Sequence, residues 1–308
     1  MEINRSKNGK ALLHLYRSGK IYSEQKNHIF LKEWTNIVFS PLPFVNRGNL
    51  NYHNVTQPLL FDDNIFDAVN AYHILEHLTP EEGDFFISEL YRVLKPGCVC
   101  RLSTPDLEGI VKDYLDSLKC VDDHPSEENM IKYHWGVCEL IDQATRSQSG
   151  GEMFKLLQQG KFDPAHIRGK FGDVFNDFFS ENGPVPRNCV KQDKSKHSCH
   201  LERKAIKDYL LFPLSKLRAS FYKIFRRYMM FIHRSDPRFT REAVRWNYDR
   251  FSLMRILKKH GFTGVNQKDH KNSDIPDWHV YNLDCSNFGD YPLDRGIYVE
   301  GRKPDVLR

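Results

Sequence analysis

His73, Glu76 and His77 put three titratable side chains into the five-residue string His73-Ile74-Leu75-Glu76-His77. On a helical turn, positions i, i+3 and i+4 share one face. A carboxylate beside an imidazole can orient it as a general base, so His73 or His77 is a candidate to take a proton from a hydroxyl, with Glu76 orienting it. The same groups could instead satisfy buried backbone atoms at a strand–helix junction. Asp142, Gln143 and Arg146 follow on a helical register, and Gly150-Gly151-Glu152-Met153 closes that motif. It reads either as a helix ended by a glycine pair or as a lid whose polar side chains, Glu152 among them, bond a polar ligand. Tyr248 and Arg250 either face the same cleft or anchor the segment before them. Cys189, His197, Cys199 and His200 carry metal-ligand chemistry within twelve residues, but their spacing matches no zinc pattern, so no metal is assigned and a solvated basic loop is expected.

The elements that must hold these groups are legible around residues 66–106. Phe66, Ala68, Val69, Ala71 and Ile74 make an apolar run suited to a strand buried on both faces. Thr79 is an N-cap candidate, followed by Pro80 and by Glu81 and Glu82 in the first turn. Phe85, Phe86, Leu90, Val93 and Leu94 form one helical stripe, Pro96-Gly97 stops it, and residues 98–102 read as a second buried strand. Strand, crossover helix and strand make a βαβ unit, so the sheet is mostly parallel and its ligands lie beyond the strands' carboxyl ends. Those ends are Tyr72-His73 and residues 103–106. Residues 11–16 read as a first strand and 34–38 as a second. A helix capped by Asp106 runs to Leu118, and residues 129–145 are helical with Ile131, Trp135, Cys138 and Ile141 on the core face. A helix from Asp249 to His260 and two strands, 265–270 and 297–301, forming an antiparallel pair at the sheet edge, complete the chain.

At 308 residues the chain accommodates one large α/β domain with an insertion. We expect a Rossmann-like core over residues 1–119, a helical, basic insertion over 120–244, and a return to the core over 245–308. No run of eighteen apolar residues exists, and the first residues lack a signal peptide's apolar stretch. Seven cysteines, an odd number without regular spacing, suit reduced thiols. A cytoplasmic protein is expected. Residues 187–241 hold 15 Lys and Arg against 4 Asp and Glu, although the whole chain is only +5. That segment suits an anionic partner. Within it, residues 203–234 interleave aromatic and basic side chains on two helical pieces split by Pro213. They read as an amphipathic helix packed on the domain, or as one lying on an anionic membrane surface or a phosphorylated substrate. No nucleic-acid module is visible.

The string from the HILEH box to Arg92-Val93-Leu94-Lys95-Pro96-Gly97 resembles the class I S-adenosylmethionine-dependent methyltransferases, and within them a glycan-biosynthesis branch. Residues 34–37, 140–153 and 245–262 resemble family segments in family order, so the likeness spans most of the chain outside roughly 162–240. It implies a doubly wound, mostly parallel α/β sheet with a helical insertion, and S-adenosyl-L-methionine as cofactor. It implies a cofactor site along His14, Leu15, Tyr16 and Gly19, Val38, Asn54, Val55 and Tyr72. Acceptor contacts are expected from Asp142, Gln143, Arg146, Glu152, Tyr248 and Arg250. His73, Glu76 and His77 would be catalytic. The implied activity is O-methylation of a sugar or glycan intermediate, possible anionic or lipid-linked acceptors included. Other branches use a similar ExxEH box for a divalent ion, and here His73 replaces the first Glu. Three positions depart from the family. The glycine-rich turn reads Tyr16-Arg17-Ser18-Gly19, Val38 stands where an acid would meet the ribose hydroxyls, and Asn54 replaces an Asp near the adenine. They support an alternative: a methyltransferase-like binding or scaffold protein without methyl transfer.

Overall fold

The computed structural model describes residues 3–17, 33–39, 45–47, 50–148, 150–160, 162, 241–281, 283–284 and 296–305. Eight strands form one sheet: β1 (Leu12–Arg17), β2 (Thr35–Phe39), β3 (Val45–Arg47), β4 (Leu50–His53), β5 (Phe66–Tyr72), β6 (Leu94–Pro105), β7 (Thr263–Lys268) and β8 (Gly296–Arg302). Their spatial order is β3-β4-β2-β1-β5-β6-β8-β7. Strands β4, β2, β1, β5 and β6 run parallel, with β3, β8 and β7 joined by antiparallel pairing. The chain winds outward from β1 to β4, then crosses back to β5 on the other flank of β1. The switch point therefore lies between β1 and β5, the usual place for a ligand in such a sheet.

Helix α1 (Pro80–Val93) connects β5 to β6 and begins as expected. Thr79 Oγ1 accepts from the Glu82 N–H while Glu82 returns a bond to the Thr79 N–H, a full capping box. The helix ends earlier than expected, at Val93: Leu94 is already extended, and Lys95, which precedes Pro96, disfavours helical backbone, so β6 starts at Leu94 instead of Cys98. Helix α2 (Leu107–Asp123) outruns its expected end at Leu118, and Asp106 occupies its N-cap position without a side-chain bond. Helix α3 (Glu127–Val137) widens into a π turn at Cys138–Asp142 before Gln143–Thr145. The wider turn rotates the residues after it. Trp135 stays buried, but Ile141 is exposed, and Glu139 and Asp142 face inward in its place. Helix α4 (Gly151–Gln158) follows. Helix α5 (Arg250–Lys259) has Asp249 as N-cap, and α6 (Trp278–Tyr281) is one turn. Strands β7 and β8 pair antiparallel as expected, but β8 lies inside the sheet and only β7 is at the edge.

The two sheet faces differ in chemistry. One is apolar: Leu13, Leu15, Ile37, Val69, Ala71, Leu102 and Val299 meet Phe86 and Leu90 of α1 and Leu253 and Leu257 of α5. The other packs Leu12, Trp34, Ala68 and Val99 against Ile275, Trp278, Tyr281 and Leu283. Across its middle runs a lateral row in direct register, Asn36–His14–Asn70–Arg101–Glu300, all buried. Polar groups so enclosed need partners. Arg101 has many: Asp284, Glu300 and two backbone carbonyls.

Candidate active site

Strand β5 delivers Tyr72 to the carboxyl edge, and the chain then turns sharply. His73 adopts a left-handed backbone, φ 49°, which is uncommon for a residue other than glycine. Its N–H bonds the Ser103 carbonyl at the end of β6 (3.1 Å), tying the turn to the neighbouring strand. A short 3-10 turn at Leu75–His77 folds Glu76 back beneath it. His73 Nδ1 donates to Glu76 Oε1 at 2.9 Å, and His77 Nε2 stands 3.8 Å from the same oxygen. Burial pushes the Glu76 carboxyl up. The charge and hydrogen bond of His73, with the charge of His77, outweigh that and hold it below the ordinary glutamate value. A carboxylate accepts only, so Nδ1 carries the proton and Nε2 is the basic nitrogen of a neutral His73. The pair is a neutral imidazole whose Nδ1 proton is fixed by a buried carboxylate.

A strap, residues 241–248, closes over this box. Arg241 forks onto Glu82 with two bonds of 2.6 Å and lies over the Phe39 ring at the end of β2. The Glu76 carbonyl accepts from the Arg245 and Trp246 N–H groups (2.6 and 3.2 Å), and Ala243 O lies 3.5 Å from His77 Nδ1. Tyr248 is buried under the strap with its hydroxyl against Gly83, where an added Cβ would sit 2.9 Å away. Its phenol is pushed up to about 12 by burial, then by the charges of Glu76 and Asp84. Arg250 is exposed and bonds Glu108.

The lid motif is knitted to the same strap. Asp142 accepts from the N–H groups of Glu152 (2.9 Å) and Met153 (3.4 Å) and pairs with Arg146. Gly150 and Gly151 therefore begin helix α4; they do not end the helix before them. Both have positive φ, and a side chain on Gly151 would run into the Asp142 carboxyl. Glu242 of the strap receives the Gly150 N–H (2.8 Å) and Arg146 (3.4 Å), while the Val244 N–H bonds the Gln143 carbonyl. Asp142 and Arg146 are thus engaged within the motif, and Glu152 faces outward toward Lys155.

On the cofactor side, Tyr16 is in register with both Val38 and Tyr72, and Val38 with Tyr52. Tyr16, Val38 and Tyr72 form a small buried cluster with Tyr52 packed against it. The Tyr16 phenol is pushed up to about 12 by burial and then by Tyr52. His14 stacks on Tyr16 (5.0 Å), and Tyr72 lies 4.4 Å from the His73 ring. These strand ends present aromatic rings and phenol hydroxyls and, at Val38, no carboxylate. Leu15 and Val55 point into the core on the helix-covered face, and Asn54 Oδ1 accepts from Thr56 in a local turn. Gly19, the Cys189–His200 group and the basic segment 203–234 lie outside the described residues. Within the described residues, no group of three or more His, Cys, Asp or Glu is arranged to hold a metal, and no helix is long and apolar enough to cross a membrane.

Sequence reasoning grouped His73, Glu76 and His77, which do lie in contact, and left Tyr248 open between the cleft and an anchoring role. It missed Arg101, Ser103, Asp284 and the strap's Arg241 and Glu242. Of these only Ser103 had a signal, its place at a strand's carboxyl end.

The methyltransferase-domain family matches residues 45–102, from β3 into β6, which takes in the box and α1. No curated protein matches. The solved structures that do include phosphoethanolamine N-methyltransferase 2 of Haemonchus contortus in complex with phosphomonomethylethanolamine and S-adenosylhomocysteine (10% identity, 99% of this chain and 50% of that one, TM-score 0.34). Another is the CurJ carbon methyltransferase (10%, 96% and 48%, TM-score 0.36). A third is a SAM-dependent methyltransferase of Methanosarcina mazei (19%, 36% and 62%, TM-score 0.25). The chain spans about half the length of the first two. Likenesses this distant carry no argument of their own. Sheet order and the matched segment are what define the class I methyltransferase fold here.

Proposed function

We propose that this protein is an S-adenosylmethionine-dependent methyltransferase that O-methylates a sugar or glycan intermediate. The observation that carries the reading is the His73–Glu76 pair, a base oriented by a buried carboxylate at the carboxyl end of β5, next to the switch point. When bound, the cofactor supplies a methyl group already activated on a sulfonium. The chain's own residues do the rest. Backbone and rings at His14, Leu15, Tyr16, Val38 and Tyr72, with Gly19, Asn54 and Val55, hold the nucleoside, and the Tyr16 and Tyr72 hydroxyls stand in for the missing acid at Val38. His73 Nε2 takes the acceptor hydroxyl's proton, and Glu76 stabilises the imidazolium. The insertion, with Asp142, Gln143, Arg146 and Glu152, shapes the acceptor side, and Tyr248 and Arg250 border it. A cytoplasmic location, with the basic 203–234 segment meeting an anionic surface, fits an anionic or lipid-linked acceptor.

A second reading has its own support: Tyr16, Val38 and Tyr72 pack on one another where a cofactor would approach. In that reading the fold serves as a binding scaffold. Calorimetric titration with S-adenosylmethionine and S-adenosylhomocysteine, with Arg17→Gly alongside, separates the two. Binding by the unaltered protein supports transfer. No heat from it, with binding restored in Arg17→Gly, overturns the enzyme reading.

A further inference from the structure

Three buried oxygen atoms have no hydrogen-bond partner among the described residues: Glu76 Oε2 and Ser103 Oγ, on residues bonded to His73, and Asp284 Oδ1, on the partner of Arg101. Each belongs to a group whose other atom is firmly held. Glu76 Oε1 accepts from His73 Nδ1, and the Ser103 carbonyl accepts the His73 N–H. Asp284 Oδ2 receives Arg101 Nε at 2.6 Å. Arg101 and Ser103 are two apart on β6, so they project from the same sheet face, with Ser103 one step nearer the carboxyl edge. Asp284 in turn lies close enough for the His73 charge to act on it. All three side chains are almost completely enclosed.

Arg101 alone does not explain Asp284. Its guanidinium also has Glu300 at 2.8 Å and the carbonyls of Asp269 and Asn272. Burial raises the Asp284 carboxyl above its ordinary value in spite of Arg101, so its enclosure is unfavourable as it stands. Buried oxygens left open beside a base call for a donor-rich ligand. Two carboxylate oxygens repel an anion, so any charged part of the acceptor lies away from the ring they touch, and no metal arrangement exists here among the described residues. A serine hydroxyl both gives and accepts. The complement is an uncharged ring bearing hydroxyls on adjacent carbons.

We propose that Glu76, Ser103 and Asp284 form the acceptor subsite for a neutral polyhydroxylated ring, Asp284 and Ser103 gripping hydroxyls that flank the one presented to His73. This rests on the transfer reading above and names its substrate class. The test uses the full chain and ligand-observed saturation-transfer NMR. The probe is methyl α-D-glucopyranoside, with ethanolamine and phenol as comparators, and S-adenosylhomocysteine affinity is measured separately by calorimetry. The expected result is sugar binding that weakens about tenfold or more in both Ser103→Ala and Asp284→Asn, each folded by circular dichroism. If Asp284→Asn does not fold, Ser103→Ala decides. No sugar signal, binding unchanged in the variants, or preference for ethanolamine or phenol overturns the subsite. Sugar binding that depends on Ser103, without any S-adenosylhomocysteine affinity, sinks the transfer reading and leaves the subsite standing.

Discussion

Replacing Arg101 with methionine tests whether the polar row is a load on the fold or a support for it. Methionine keeps most of the stem volume and removes the charge. The guanidinium is fully enclosed; it holds Asp284 and Glu300 and lies over the rings of Trp278 (4.6 Å) and Tyr298 (5.0 Å). Without it the Asp284 and Glu300 carboxyls stay buried with no cation. Removing one partner of a buried ionic cluster costs about 3–5 kcal/mol, because the remaining charge is left uncompensated. That is a large share of the ~5–15 kcal/mol that holds a typical domain together. The deficit should depend on pH with a definite sign. Burial already raises Asp284, and in the variant it loses the cation that opposes this and rises further above its unfolded value of roughly 3.9. A group raised in the folded state gives stability that is full below its unfolded value and is lost as pH rises through its folded value. The variant's deficit is therefore largest near pH 8 and shrinks toward pH 5. Urea unfolding followed by tryptophan fluorescence at both pH values measures it. A deficit under ~1 kcal/mol, or one that grows on acidification, would refute the reasoning.

Three further changes test the site. Gly151→Ala places a side chain at φ 59° against the Asp142 carboxyl and breaks its bonds to the Glu152 and Met153 N–H groups, so a loss of about 2–4 kcal/mol in urea unfolding is expected. Glu76→Gln preserves shape but removes the charge that steadies His73; once an acceptor is found, kcat falls about 10²-fold while S-adenosylhomocysteine affinity holds, and an unchanged kcat would exclude His73 as the base. Arg241→Ala releases the strap from Glu82 at a cost of about 1 kcal/mol, discounted because both side chains are partly exposed. Arg241 is the main cause of Glu82's depressed carboxyl, so this stabilisation is present above the ordinary glutamate value and fades as pH falls through the depressed one. Melting temperatures of variant and parent at pH 7 and pH 3 should therefore converge at the lower pH.

Legibility followed how local each signal was. The βαβ unit around α1 was visible because Thr79, Pro80 and Glu82 fix a helix start within four residues and the apolar stripe has a clean period. The His73–Glu76 contact was visible for the same reason: three residues separate the partners. The π turn at Cys138–Asp142 was not, because nothing in residue type marks a single added residue, and the face assigned to Ile141 failed with it. Gly150-Gly151 was ambiguous in principle, since positive φ suits either end of a helix, and what decides it is the Asp142 carboxyl accepting the Glu152 and Met153 N–H groups from the preceding turn. Arg101 and Asp284 are 183 residues apart. An arginine in a strand destined for burial reads as a misfit until its carboxylates are found in segments with no pattern of their own.

The strap shows why the box and the lid are one device. Its links to the box are made by backbone atoms, the Arg245 and Trp246 N–H groups and the Ala243 carbonyl, which any sequence would supply. Its links to the lid are the Val244 N–H on Gln143 and the Glu242 carboxylate on Arg146 and Gly150. Residues 242 and 244 bond the lid while 243, 245 and 246 bond the box, so a strap only eight residues long holds both. Moving the lid away must then either break the Gln143 and Glu242 bonds or draw the strap off Glu76. In the second case the Glu76 carbonyl loses two donors at once, and the turn that aims His73 loses the contact that closes it. The turn that carries His73 is therefore tied to Ser103 on β6 and, through the strap, to the first turn of α4. Under the transfer proposal, acceptor contacts that hold the first turn of α4 would, through the strap, also hold the turn that carries His73.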